Sequence, residues 1–116
     1  MKLYDLSLIE AMGKKDFDFV REVVGMFLES IPVDIKQLNE AFVNKDAKLF
    51  GHVAHKLKST IDTLGILSVS ETIRQVEATD ILDFASDQTL QQEVNKITSV
   101  LTQVYSELNE KYSNGN

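Results

Sequence analysis

The sequence contains no cysteine, which excludes disulfide bridges, thiolate metal sites and a cysteine nucleophile and fits a reducing compartment. Clusters of β-branched residues bounded by turn signals are also absent, so nothing in the sequence indicates a sheet. No apolar run approaches the roughly 20 residues that a membrane span requires. The first ten residues lack the apolar segment of a signal peptide. We therefore expect a soluble intracellular protein located in the cytoplasm.

The sequence has fewer basic than acidic residues. It contains 12 Lys and Arg residues and 18 Asp and Glu residues, which give a net charge of −6. An acidic surface argues against nucleic acid and against anionic membranes, which both attract basic patches. At 116 residues and 43% hydrophobic, the chain can bury one core, and its length predicts a single domain over residues 1–116. The initial methionine favours a complete small protein, and the polar tail at residues 113–116 is expected to fray.

Apolar residues in the first half of the chain recur in steps of three and four, the spacing of amphipathic helices. A short helix over residues 6–12, with Asp5 as its N-cap, precedes a long helix that Asp16 caps and that ends near Asn44. Pro32 lies inside the long helix and must kink or split it. The spacing assigns to the core Val20, Val24, Phe27, Ile31, Ile35, Leu38 and Phe42.

The second half of the chain predicts three more helices. Asp46 can cap one over residues 47–64, and Gly65 can end it. A helix over residues 68–78 follows, and after a weak linker the last helix begins near Gln88. Its core stripe comprises Leu90, Val94, Ile97, Leu101, Val104 and Leu108. Amphipathic helices with short connections predict an all-α fold, an antiparallel four-helix bundle with a short additional N-terminal helix.

The stretch HVAHKLKSTIDTLG, residues 52–65, holds both histidines of the chain. At about 100° per residue, its apolar residues share one arc, and His55 points roughly opposite to it, towards solvent. Gly51 and Ser59, one turn before and after His55, are small and leave the imidazole open to a large partner. Glycine inside a helix costs about 1 kcal/mol relative to alanine, so Gly51 suggests a reason other than helix stability. The core arc comprises Phe50, Val53, Ala54, Leu57, Ile61 and Leu64.

Lys58 lies one turn after His55 and can place an ammonium beside the imidazole or beside a group attached to it. A neutral imidazole nitrogen is a good nucleophile near pH 7, and a neighbouring cation keeps its lone pair available. The same cation would stabilise a phosphoryl dianion on the ring. The sequence shows no base, oxyanion hole, phosphate loop or carboxylate pair that would complete an enzyme. The pattern therefore indicates a carrier rather than an enzyme, with no cofactor of its own.

The residues AHKLKS at 54–59 resemble the AHxLKG signature of histidine-containing phosphotransfer (HPt) domains. The stretch MFLESIPVDIKQL resembles the Phe…Pro…Leu segment of that family, KDAKLFGHVAHKLKSTIDTLG its Asp…Leu…His-x-Leu-Lys…Leu-Gly run, and IRQVE the end of its next helix. The resemblance covers about residues 15–80 in order. It implies a helical bundle in which an exposed histidine, here His55, relays phosphoryl groups to and from receiver-domain aspartates, with Lys58 as its electrostatic partner. Ser59 departs from the family glycine and would either narrow access or donate a hydrogen bond to the phosphoryl group.

The resemblance implies response-regulator receiver domains and a hybrid sensor kinase as partners of a monomeric chain, with Mg²⁺ only on the receiver. We expect a small, transient docking surface around the histidine, because a relay must release its partner in each cycle. Met26 on the preceding helix is a candidate apolar neighbour. The candidates on the histidine's own helix are Lys48, Gly51, His52, Ser59 and Asp62.

Three other interpretations of the site stay open. An exposed His–Lys pair is most often an ordinary solvated surface. His52 and His55 can converge on a metal ion, although no carboxylate or cysteine completes the ligand set at a suitable spacing unless a neighbouring helix of the bundle supplies one. A bundle that docks receivers without phosphorylation would carry the same surface, and it would differ only in whether His55 takes a phosphoryl group.

Overall fold

The computed structural model describes residues 2–83 and 87–113, and the regular structure in these ranges is helical throughout. The prediction of an all-α fold is therefore confirmed. Part of the predicted linker at 79–87 and nearly all of the tail at 113–116 lie outside the described residues. The elements are α1 (Ser7–Met12), α2 (Phe17–Val43), α3 (Ala47–Thr63), a 3₁₀ turn (Leu67–Val69), α4 (Ser70–Ala78), α5 (Asp87–Leu108) and a π-helical turn (Asn109–Ser113).

Side-chain caps begin α2 and α3 as predicted. The Asp16 carboxylate accepts the Asp18 amide at 3.0 Å, and the Asp46 carboxylate accepts the Leu49 amide at 3.1 Å. Each bond satisfies one of the amides that the first turn of a helix leaves without a partner. The start of α3, the helix that carries His55, is therefore fixed by the side chain of Asp46.

The start of α1 differs from the prediction by one residue. Asp5 accepts the Ser7 amide at 2.9 Å, but α1 begins at Ser7, and Leu6 occupies the N-cap position. Leu6 is buried, so the segment before α1 is held by packing as well as by the carboxylate.

α2 runs through Pro32 without interruption, so the alternative in which Pro32 splits the helix is wrong. Proline removes one helical hydrogen bond. Buried residues on both sides, Val24 before Pro32 and Leu38 after it, pack into the same core and hold the two halves together. Packing of an apolar face generally supplies more helical stability than propensity does.

The four longer helices close into a ring in which α2 packs against α3 and α5, and α4 also packs against α3 and α5. All the core residues predicted for α3 and α5 are buried. On α2 the prediction is only partly right, because Phe27 and Ile35 are half-buried, while Leu28 and Asp34 are buried. The antiparallel alternation of all four helices stays a prediction. No helix in the described ranges is both long enough and apolar enough to cross a membrane.

The N-terminal segment closes one end of the bundle. The Asp5 amide donates to the Leu64 carbonyl at 2.8 Å, at the end of α3. Gly65 has φ +60°, and a Cβ there would lie 2.6 Å from the Asp5 carbonyl oxygen, so this crossing requires glycine. At this end of the bundle, Tyr4 of the segment lines a groove together with Lys111 and Tyr112 near the other end of the chain.

Candidate functional site

His55 lies near the middle of α3 with 73% of its side chain exposed. A Cβ built on Gly51, one turn earlier, would meet no other atom within 4 Å, and Ser59, one turn later, is exposed. The predicted exposure of the imidazole between two small neighbours is therefore confirmed. The buried arc on the opposite side of α3 fixes this orientation.

Glu77 on α4 joins His55 to Lys58. One carboxylate oxygen, Oε2, lies 2.8 Å from His55 Nδ1, and the other, Oε1, accepts from Lys58 Nζ at 2.8 Å. An ionised carboxylate can only accept hydrogen bonds, so Nδ1 carries the proton of this bond. In the neutral ring the lone pair is then on Nε2. Glu77 was not among the site residues predicted from the sequence, although it is the last residue of the segment IRQVE.

The pKa of Glu77 is lowered below its usual value of 4.5, first by the Lys58 hydrogen bond and then by the His55 bond. A carboxyl group whose pKa is lowered in the folded state is ionised at neutral pH, and it loses this network as the pH falls through the lowered pKa. The network is therefore intact at neutral pH. At rest the Lys58 ammonium is held by Glu77, which also bonds the ring; the sequence predicted the ammonium beside the ring or beside a group attached to it.

A second lysine–carboxylate pair links α3 to α2. Lys56 Nζ donates to Asp34 Oδ1 at 3.1 Å. The Asp34 side chain is fully buried, whereas 53% of the Lys56 side chain is exposed. Within the described residues, the buried Asp34 Oδ2 has no hydrogen-bond partner. Since α3 packs between α2 and α4, His55 has a lysine–carboxylate pair on each side, and neither pair was predicted from the sequence.

The predicted docking residues lie along one surface of α3. Lys48, His52, Ser59 and Asp62 are exposed, and Gly51 is partly exposed. Asp62 has a partner on α4, since its Oδ2 accepts from Arg74 Nη2 at 2.8 Å. This ion pair ties the end of the surface to α4.

Met26 does not lie at the level of His55. The Lys56–Asp34 bond sets the register between α3 and α2, and Met26 lies eight residues before Asp34, or about 12 Å along the helix axis. Val33, adjacent to Asp34 and 52% exposed, is an apolar residue of α2 that lies much closer to that level. We therefore replace Met26 with Val33 as the apolar candidate on α2.

In the part of the chain that the structure describes, no group of three or more His, Cys, Asp or Glu side chains is placed to hold a metal ion. His55 Nδ1 is already bonded to Glu77. This bond leaves Nε2 as the ring nitrogen of His55 that is available to a partner.

A protein-family model described as Hpt domain matches residues 22–110. The matched range contains all of α3 and α4, and therefore His55, Lys58 and Glu77. α1 and the start of α2 lie outside it. No curated protein and no solved structure matches the chain significantly.

Proposed function

The chain belongs to the Hpt domain family, and from this membership we propose that it is a phosphorelay carrier in which His55 accepts a phosphoryl group from a receiver-domain aspartate and passes it to another receiver. The observation that carries the proposal is the Glu77 bridge. It holds the proton on Nδ1 and leaves an exposed Nε2 as the nucleophile. The residues act on a phosphoryl group that the partner activates, so the chain needs no catalytic centre of its own.

The transfer step needs no proton movement at His55. The Nε2 lone pair attacks the phosphorus of an aspartyl phosphate, an N–P bond forms, and the P–O bond to the aspartate breaks as its carboxylate leaves with the electron pair. The ring becomes positively charged while Nδ1 keeps its proton. The Glu77 oxygen 2.8 Å from Nδ1 stabilises that charge as it develops. The reverse step returns the phosphoryl group to the aspartate of a second receiver.

Lys58 is placed to stabilise the phosphoryl group once it is on the ring. Its ammonium shares a carboxylate with His55, so it lies on the same side of the site as the imidazole. The Glu77 side chain is 26% exposed, so water can solvate it when Lys58 turns towards the new dianion. The attraction between ammonium and phosphoryl oxygen is charge-assisted and strong for a hydrogen bond.

Replacing Lys58 with alanine should slow transfer from a phosphorylated receiver by about tenfold, the equivalent of losing roughly 1.4 kcal/mol of transition-state stabilisation. Single-turnover transfer, followed by loss of label from the receiver, measures the rate. Lys58→Arg retains the cation and should recover much of it, and the thermal unfolding of both variants should match the wild type. Equal rates for Lys58→Ala and wild type would show that Lys58 is an ordinary surface charge.

Replacing Glu77 with glutamine should release the imidazole from a single tautomer and slow transfer by about tenfold, because the charge that stabilises the developing imidazolium is lost. Histidine ¹⁵N chemical shifts should report proton on Nδ1 in the wild type and a mixture of tautomers in the variant. Glu107→Gln is the matched control, since it makes the same change at an exposed carboxylate of α5 rather than at the site. Unchanged shifts and an unchanged rate in Glu77→Gln would contradict the role given to this residue.

The proposed partners are receiver domains and a hybrid sensor kinase in the cytoplasm, with the chain acting as a monomer. The direct test incubates the protein with a receiver domain that carries ³²P on its aspartate. Label should move to the protein, and a second receiver should remove it. A stable complex with no transfer of label would instead make the chain a docking module.

A further inference from the structure

The Asp34–Lys56 pair is a costly arrangement for a bundle of this size. Asp34 is fully buried, and one of its oxygens has no hydrogen-bond partner in the described residues. Apolar residues of similar volume often stabilise such a buried site at least as well as an ion pair does. Stability alone therefore does not account for the pair, and its position beside His55 suggests a functional reason.

The two lysines that flank His55 are held differently. Glu77, the partner of Lys58, is partly exposed and also bonds His55, so Lys58 can leave it and a bonded, solvated carboxylate stays behind. Asp34, the partner of Lys56, would be left buried and without a counter-ion. Lys58 can therefore follow the phosphoryl group, whereas Lys56 is a fixed positive charge on a side chain that is 53% exposed.

The fixed positive charge of Lys56 can offset the electrostatic repulsion between this acidic chain and an anionic phosphoryl donor. The chain carries a net charge of −6, and a donor that presents an aspartyl phosphate is also anionic at the point of contact. Their long-range interaction is unfavourable unless local cations offset it. Lys56 follows His55 in the sequence, and its bond to Asp34 holds its ammonium on the α2 side of α3.

We propose that Lys56 is a specificity-determining contact for the receiver, in which its ammonium binds a carboxylate beside the receiver's phosphorylated aspartate, and that Asp34 is a positioning residue that acts through Lys56. This inference rests on the proposed function and adds the partner chemistry that the site selects. A receiver with an acidic side chain beside its phosphorylated aspartate is favoured, and a receiver with a basic side chain there is rejected by charge repulsion.

The first test separates docking from chemistry. Lys56→Met should raise the KM for a ³²P-labelled phosphorylated receiver about tenfold while kcat stays within about twofold, since an interaction equal in ground and transition states changes KM alone. Phosphoramidate is a small donor with no docking surface, from which ammonia leaves as the N–P bond to His55 forms. Labelling by phosphoramidate should be unchanged in Lys56→Met and slowed in Lys58→Ala. Lys96→Met controls for net charge, because it removes an exposed lysine from α5, on the opposite side of the ring of helices from α3.

The second test addresses Asp34. Asp34→Asn releases the ammonium, so it should raise KM in the same direction as Lys56→Met, and the double variant should be no worse than Lys56→Met alone. Asp34→Leu/Lys56→Met replaces the pair with apolar residues and should unfold at or above the wild-type temperature. Its KM should nevertheless equal that of Lys56→Met. Lys56→Arg should keep a low KM, because it retains a cation beside the buried carboxylate.

The outcomes discriminate between the two proposals. A wild-type KM in both Lys56→Met and the apolar double variant would overturn the inference and leave the carrier function standing. Equal slowing of receiver transfer and phosphoramidate labelling in Lys56→Met would also overturn it, because Lys56 would then act on the phosphoryl group itself. Wild-type protein that takes label from neither donor would instead defeat the carrier function.

Discussion

Replacing His55 with glutamine is expected to abolish phosphorylation by receivers and by phosphoramidate alike. The imidazole is the exposed nucleophile of the site, and glutamine has a similar reach but no basic nitrogen. The bundle should be unaffected, because the His55 side chain lies outside the core and its removal leaves the buried arc of α3 intact. Far-ultraviolet circular dichroism and the unfolding temperature should therefore match the wild type. Label on the wild type should be acid-labile and base-stable, as expected for a phosphoramidate bond.

His52→Gln is the matched control for this experiment, since His52 is the other histidine, lies on the same helix and is also exposed. It should retain labelling from phosphoramidate, and any effect on receiver transfer should be on KM. Undiminished labelling of His55→Gln, or loss of label in His52→Gln instead, would show that the phosphoacceptor has been assigned to the wrong residue.

Replacing Gly51 with leucine is expected to reduce transfer from a receiver by well over tenfold while leaving the fold at least as stable. The new side chain would occupy the approach to His55, where a Cβ on residue 51 would have no other atom within 4 Å. Helix propensity favours leucine over glycine by roughly 0.5–1 kcal/mol, so the melting temperature should stay level or rise. When docking is displaced by even a small distance, the transfer rate falls by more than tenfold, which corresponds to more than about 1.4 kcal/mol.

The chain provides a matched control in Gly25 on α2. A Cβ there also meets nothing within 4 Å, but Gly25 lines a groove with Tyr105 of α5 rather than the surface around His55. Gly25→Leu should gain the same helix propensity and transfer at the wild-type rate. If Gly51→Leu lowers the melting temperature and spares transfer, Gly51 serves packing instead. Slower labelling by phosphoramidate would place the obstruction at the imidazole itself, whereas a defect confined to receivers would place it in docking.

The exposed face of α3 was predictable because it depends only on local geometry. A period of 3.6 residues places His55 opposite the apolar arc whatever the rest of the chain does, and Asp46 and Gly65 mark the two ends of the helix. The apolar spacing is less informative on α2, where the helix is long enough for its buried stripe to drift. That spacing assigns Phe27 and Ile35 to the core, where Leu28 and Asp34 are the buried residues.

The partners of the site were not predictable because each one comes from another helix. Glu77 is 22 residues from His55 in sequence, and Asp34 is 22 residues from Lys56 on the other side. No periodicity within α3 indicates which side chain of α2 or α4 will face it. The carboxylates also look ordinary in sequence, since Glu77 and Asp34 are two of 18 acidic residues. Only the packed ring shows that both pair with lysines beside the imidazole.

The groove formed by Lys2, Tyr4, Lys111 and Tyr112 places both ends of the described chain at the same end of the bundle. Gly65 also lines this groove, and His55 lies eight residues before Thr63, the last residue of α3, or about 12 Å along the helix axis. A receiver joined to either terminus by a flexible linker would thus share one anchoring point and meet His55 from the side of the bundle. Its effective concentration would be governed by linker length rather than by which terminus carries it.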